Sequence, residues 1–116
     1  MWFKIKKETL FHPEEVIHSH SLKHLAEVFG VPEASLALDA RFGEELKADP
    51  ASDFKANQFD IIDGDIKDVA DKQLLKEMEQ GKLIIRTVHD YCQYMIKCSR
   101  INPKKVALVL GLPKVE

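Results

Sequence analysis

Histidine side chains near the start of the chain have a spacing that would suit a metal ion. Histidines lie at positions 12, 18, 20 and 24, and Glu27 follows them. On a helix, His20 and His24 are one turn apart on one face, with Glu27 one further turn along, and imidazole groups so placed can ligate zinc. Nothing else in the sequence fixes a third ligand or an open coordination position. The pattern therefore favours a surface that responds mildly to pH, and we predict no metal site.

Two carboxylates in the middle of the chain are spaced like the first ligands of a calcium-binding loop. Asp63 and Asp65 form an Asp-x-Asp pair, and calcium prefers oxygen ligands of this kind. The later ligands and the closing glutamate of an EF-hand loop do not follow them. We therefore predict no calcium site.

The two cysteines, Cys92 and Cys98, fall on one predicted helix. Six residues at about 1.5 Å rise separate them by roughly 9 Å along the axis, which is too far for a disulfide. Neither belongs to a Cys-x-x-Cys motif or a zinc spacing. We expect two buried thiols in the reducing cytoplasm.

No stretch of the sequence has the pattern of a known type of catalytic site. It has no glycine-rich phosphate loop, no nucleophile elbow and no carboxylate pair whose spacing implies acid–base chemistry. The first residues lack the apolar core of a secretory signal, and no run approaches the length of a membrane span. We therefore predict a cytoplasmic protein that is not an enzyme and does not bind membranes.

Helices must position these side chains, and the first helix has clear boundary signals. Pro13 followed by Glu14 predicts its start, since proline and acids suit the first turn. Gly30 and then Pro32 predict its end. Its core-facing stripe consists of Leu22, Leu25, Ala26 and Phe29. A polar run at residues 18–21 leaves Val16 and Ile17 off this stripe and predicts a bend or a break.

A long loop and a second helix are predicted next. Apolar residues recur in the loop from Phe29 to Asp49, so we expect it to pack on the core. Asp49-Pro50 predicts an N-cap and a first helical position. The helix from Asp49 has one apolar face, formed by Phe59, Ile62, Ile66, Val69 and Ala70.

Three shorter elements complete the predicted fold. Leu74, Leu75 and Met78 indicate a helix that stops at Gly81, and residues 83–85 form an extended link. Thr87 and Asp90 form a capping box at the start of the next helix, whose apolar stripe is Val88, Tyr91, Cys92 and Met95. Asn102-Pro103 begins a short terminal helix that ends at Gly111. A strand paired with residues 2–5 is the alternative for this last segment.

Two stretches of the sequence carry a family resemblance. The first combines a helix end, Gly30-Val31, a loop, and the series Phe-x-Glu-Glu-Leu-x-Ala-Asp that runs from Phe42 to Asp49. The second is Thr87-Val88-His89-Asp90-Tyr91. Both are similar to acyl carrier proteins, the first to their loop after helix 1 and the second to the start of their last helix. The resemblance covers roughly residues 14 to 98 and implies an all-α four-helix bundle with a long loop after helix 1.

The chain departs from this family at the position that carries its cofactor. The resemblance implies a serine directly after Asp49, modified with 4′-phosphopantetheine, but Pro50 stands there and has no hydroxyl. Ser52 is the nearest serine, two positions late and followed by Asp53. We therefore expect no prosthetic group. A working carrier modified on Ser52 is the alternative.

Charge is distributed unevenly along the chain, whose net charge is −2. Residues 39–79 hold twelve acids and six bases, whereas residues 80–116 hold seven bases and two acids. The low net charge argues against nucleic-acid binding. An acidic middle suits contact with basic patches on partner proteins, although a solvated helix face explains it equally well. The predicted partner-binding residues are Asp53, Asp60, Asp63, Asp65 and Asp68.

We predict one domain over the 116 residues, with an extension at 1–11, a carrier-like bundle at 12–98 and an extra helix at 102–112. The favoured function is that of a degenerate acyl-carrier-like module that binds other proteins. An unrelated small helical binding or regulatory protein is the further alternative, and the oligomeric state is open.

Overall fold

The computed structural model describes residues 12–50 and 55–113, and these residues form five α-helices. A 3-10 helix at Glu33–Ser35 follows the first of them. In these residues the extended structure is limited to two isolated bridges. The all-α prediction is confirmed. The α-helices are α1 (Glu14–Phe29), α2 (Gln58–Val69), α3 (Lys72–Glu79), α4 (Val88–Ile101) and α5 (Pro103–Leu110).

Helix α1 begins and ends where the sequence predicts but has no break. Pro13 precedes its first turn, and Gly30 ends it with φ of 66°, a left-handed conformation that costs glycine little. The predicted break at residues 18–21 is wrong, because the helix is continuous there. Ser21 lies in its buried face, and the Ser21 hydroxyl donates to the Ile17 carbonyl at 2.7 Å. Ile17, predicted to lie off the stripe, is fully buried.

The long loop after α1 packs on the core, as predicted. Ala40 and Leu46 are buried. The Phe42 ring lies against those of Phe29 and Tyr91, at centroid distances of 6.0 and 6.5 Å. The loop therefore covers the region where α1 and α4 meet.

Backbone hydrogen bonds hold the same loop against the start of α4. The Phe42 amide donates to the Arg86 carbonyl at 2.9 Å, and the Val88 amide donates to Ala40 at 3.0 Å. Such bonds satisfy amides at a helix N-terminus that have no partner within the helix. The start of α4 is thereby tied to a segment about 45 residues earlier in the chain.

Helix α2 begins much later than the sequence predicts. Asn57 is its N-cap and forms a reciprocal capping box with Asp60. Asp49-Pro50 is therefore not the helix start, and the prediction was wrong there. The predicted apolar face of α2 is largely correct, since Ile62, Ile66 and Val69 are buried.

The remaining helices follow the predicted boundaries. Helix α3 stops before Gly81, whose φ is 73°, and Thr87 and Asp90 form the predicted capping box of α4. Residues 103–110 form helix α5, so the alternative prediction of a strand is wrong. The Asn102 side chain does not cap α5 but donates to the Val69 carbonyl at 2.9 Å. It thus joins α5 to the end of α2.

Helix α4 supplies more of the buried residues than any other helix. Its buried face contacts α1 on one side and α5 on the other. Cys92 and Cys98 are free, buried thiols, as expected. The buried residues of α4 are Val88, Tyr91, Cys92, Tyr94, Met95, Cys98 and Ser99.

Candidate functional site

The start of α2 is the region to which the family resemblance assigns the cofactor. Here Asp49 is hydrogen-bonded to Asn57, the N-cap of α2, and to Gln58, the first residue of that helix. Its amide donates to Gln58 Oε1 at 2.8 Å, and its carboxylate accepts from Gln58 Nε2 at 3.2 Å. Its carbonyl accepts from Asn57 Nδ2 at 2.9 Å. These bonds close a loop between Asp49 and Gln58.

This arrangement does not fit a phosphopantetheine group at the expected position. Pro50 directly follows Asp49 and offers no hydroxyl. The first turn of α2 lies at Gln58, so the residue after Asp49 is not at a helix start either. Ser52 and Asp53 lie outside the described residues. The structure thus places Asp49 beside the cap of α2, where it supports the loop.

The acidic side chains predicted for α2 have different environments. The Asp60 carboxylate accepts from the Asn57 amide at 3.0 Å and caps its own helix. Asp63 forms an exposed ion pair with Lys67 at 2.9 Å, and Asp68 is exposed. Asp65 instead faces α1 and is 15% exposed. Asp60, Asp63 and Asp68 therefore remain on the outer surface of α2, whereas Asp65 is engaged inside the protein.

Asp65 belongs to a polar cluster between three helices. His24 Nε2 on α1 donates to Asp65 Oδ2 on α2 at 2.7 Å. The Tyr91 hydroxyl of α4 is buried and has no hydrogen-bond partner within residues 12–50 and 55–113. Burial first, and then the charge of Asp65, raises the pKa of Tyr91. A tyrosine so placed stays protonated at neutral pH, so it can donate a hydrogen bond but cannot act as a base.

An open cavity of about 260 Å³ lies between α1 and the end of α5. Its α1 wall carries the predicted stripe of His20, His24 and Glu27 together with Lys23, and its α5 wall consists of Leu108 to Gly111. Within the described part of the chain, no three His, Cys, Asp or Glu side chains are grouped so that they could hold a metal ion. The cavity is therefore a polar recess without a metal-binding geometry.

The two thiols are poorly suited to nucleophilic chemistry. Burial raises the pKa of Cys92 to about 11, and burial likewise raises that of Cys98. Because the thiolate is the reactive form, both are nearly unreactive at neutral pH while the protein is folded. Tyr94, beside Cys98, donates its hydroxyl to the Ile66 carbonyl at 2.7 Å, which is a structural contact between α4 and α2.

The sequence analysis did not predict two features of the structure. The His24–Asp65 pair joins residues 41 positions apart, and no local pattern reveals such a pair. The exposed face of α5, formed by Lys104, Lys105 and Leu108, did have a signal. These residues have i, i+3 and i+4 spacings, and they lie opposite the buried Val106 and Leu110.

Comparison with models of known protein families, with curated proteins and with solved structures yields no significant match. Among the described residues, no helix combines the length and the apolar character needed to cross a membrane.

Proposed function

We propose that this protein is a non-enzymatic interaction module with an acyl-carrier-like fold, which binds basic surfaces of partner proteins through α2 and carries no prosthetic group. The observation that carries the proposal is the structure around Asp49. Its three hydrogen bonds to Asn57 and Gln58 engage the residue that would precede a modified serine, and Pro50 occupies the serine position.

The carrier-like fold is supported by the long loop after α1. The loop packs Phe42 against the first and last helices of the proposed four-helix unit, and it is bonded along the start of α4. These are the two stretches that resemble acyl carrier proteins. The two stretches contact each other in space, through Phe42 and Tyr91 and through the backbone bonds to the start of α4.

The binding role is supported by the outer surface of α2. Asp60, Asp63 and Asp68 lie there with only Lys67 as a base on the same helix. Ile61 among them is 40% exposed. A row of acids beside an exposed apolar residue matches a partner that combines basic and apolar side chains, because complementary charge orients the encounter and apolar contact adds affinity.

The missing cofactor is tested by measuring intact mass. The protein is incubated with coenzyme A and a broad-specificity phosphopantetheinyl transferase, with a standard acyl carrier protein in the same tube. We expect the standard protein to gain the mass of one phosphopantetheine and this protein to gain none. A gain that disappears in the Ser52→Ala variant would instead establish a working carrier.

The binding role is tested by NMR titration with an arginine-rich amphipathic peptide. We expect amide shifts that cluster around Asp60, Asp63 and Asp68. The double variant Asp63→Asn/Asp68→Asn should weaken binding by about fivefold, since two exposed charges contribute on the order of 1 kcal/mol. The matched control, Glu33→Gln/Glu79→Gln, removes the same charge from exposed sites elsewhere. Equal weakening by both variants would reject α2 as the binding surface.

A further inference from the structure

Helix α5 presents an outer face that nothing in the described residues covers. Leu108 is 79% exposed, the largest exposure among the large apolar side chains of these residues. Lys104 and Lys105 lie one turn before it on the same face and are exposed. Residues 103–110 contain no acidic side chain. The face therefore combines one apolar contact with two positive charges.

One side of α2 has the opposite charge. Asp65 faces His24, which lines the cavity together with Leu108 of α5. Ile61 and Asp68 share a helical stripe with Asp65, at i−4 and i+3, so they lie on the side of α2 that carries the contact with His24. Both are exposed. An acidic and apolar stripe of α2 and the basic and apolar face of α5 thus both border the part of α1 around His24.

We infer that this α2–α5 surface, defined by Ile61, Asp68, Lys104, Lys105 and Leu108, binds a second copy of the same chain. In a two-fold dimer, α5 of one copy lies on α2 of the other, so both contacts form together. Charge selects this pairing, because two α5 faces brought together contain four lysines and no acid. Placing α5 on α2 brings lysines to Asp68 and Leu108 to Ile61.

The size of the surface predicts how strong the dimer is. At about 1.5 Å per residue, α5 is about 12 Å long and α2 about 18 Å long. Two helices of this length cover less than the roughly 800 Å² per partner of a standard stable interface. The dimer is therefore weak and reversible, and salt weakens it further because its ion pairs are at the surface. Such association requires neither a prosthetic group nor a partner protein.

The test uses sedimentation velocity of the full chain over a concentration series. At about 0.05 M salt we expect a monomer–dimer equilibrium that shifts toward monomer at about 0.5 M. The variants Lys104→Asp/Lys105→Asp and Asp68→Lys should each weaken dimerisation at least tenfold, because like charges then face each other. Mixing the two variants should restore it, since each then supplies the charge that the other lacks.

Matched variants separate this surface from general effects of charge and hydrophobicity. Lys97→Asp on the exposed side of α4 should leave dimerisation unchanged. Leu108→Ser should weaken it, whereas Ile84→Ser, at a side chain that is 51% exposed, should not. A monomer at every concentration and salt, or a mixture that fails to associate, would overturn the inference. Loss caused by the α5 variants but not by Asp68→Lys would indicate an α5-on-α5 dimer and also overturn it.

Discussion

The starts of α2 and α4 have the same local capping motif but are stabilised by different tertiary contacts. Each has a reciprocal capping box, Asn57 with Asp60 in α2 and Thr87 with Asp90 in α4. At α4, backbone bonds from the loop add to the cap, and Val88 is fully buried. At α2, the added bonds run from exposed side chains to Asp49. The start of α4 is thus part of the core, whereas the start of α2 is a surface structure.

This difference matters for the binding role that we propose for the outer surface of α2. A helix start held by buried backbone bonds opens only when much of the protein unfolds. A start held by exposed side-chain bonds can rearrange at a smaller cost when a partner binds beside it. The following predictions test the contrast, from the largest expected effect to the smallest.

The largest effect is expected for Phe42→Ala, in the loop that holds α4. Its ring contacts both Phe29 and Tyr91, so its removal should lower the free energy of unfolding by about 3 kcal/mol. Phe59→Ala, at the start of α2, should cost clearly less because that ring contacts only Phe29 among the described aromatic residues. Urea denaturation of both variants measures the difference. Equal losses would show that the two starts are equally buried.

The caps themselves should differ in the same direction. Thr87→Ala should cost about 1.5 kcal/mol and Asn57→Ala about 0.7 kcal/mol, within the usual range for N-caps. The expected loss is larger at α4 because the start of that helix is also hydrogen-bonded to the loop. Removing the cap therefore disturbs the contact with the loop as well. Hydrogen exchange of amides 88–90 and 58–60 in the same samples checks that each effect is local. A larger loss at Asn57 would contradict the comparison.

Acid should affect the start of α4 through Asp90. Backbone N–H groups of Arg86 first, and then of Thr87 together with the Thr87 hydroxyl, hold the pKa of Asp90 below its ordinary value of 3.8, against the opposing effect of burial. Because the folded pKa is depressed, this carboxylate stabilises the fold above pH 4 and ceases to do so as pH falls through the folded pKa.

The variant Asp90→Asn isolates this contribution. It should be less stable than the natural protein at pH 7, and the gap should narrow as the pH falls below 4. Thermal unfolding at a series of pH values measures this. A gap that stays constant with pH would show that the charge of Asp90 does not matter.

The smallest effect is expected for Asp49→Ala. The variant loses the 3.2 Å bond from Gln58 but keeps both backbone bonds of residue 49, so it should change the free energy of unfolding by less than about 0.5 kcal/mol. An N-cap at Asp49 would instead cost about 1 kcal/mol. Denaturation of this variant beside Asn57→Ala therefore tests the assignment of Asn57 as the N-cap of α2.

Local signals were sufficient where one sequence pattern had one structural solution. Gly30 and Gly111 end helices in left-handed conformations that other residues rarely adopt. The side chains of Thr87 and Asp90 each accept a hydrogen bond from the other residue's backbone amide, so this motif is complete within four residues of the chain. At α2, by contrast, Asp49-Pro50 and Asn57 to Asp60 both have capping patterns, and only the second is used. Local propensity does not decide between two such N-caps, because either one stabilises a helix start by only about 1 kcal/mol.

The amino-acid sequence by itself determined the all-α class, the apolar faces of the helices and most of their ends, because these depend on contacts between residues close in the chain. It also determined that Pro50 offers no hydroxyl. Only the tertiary structure decided which cap starts α2, that Asp65 pairs with His24 rather than facing outward, and that α5 leaves Leu108 exposed. These outcomes depend on which helices become neighbours, and burial of the whole core sets that arrangement.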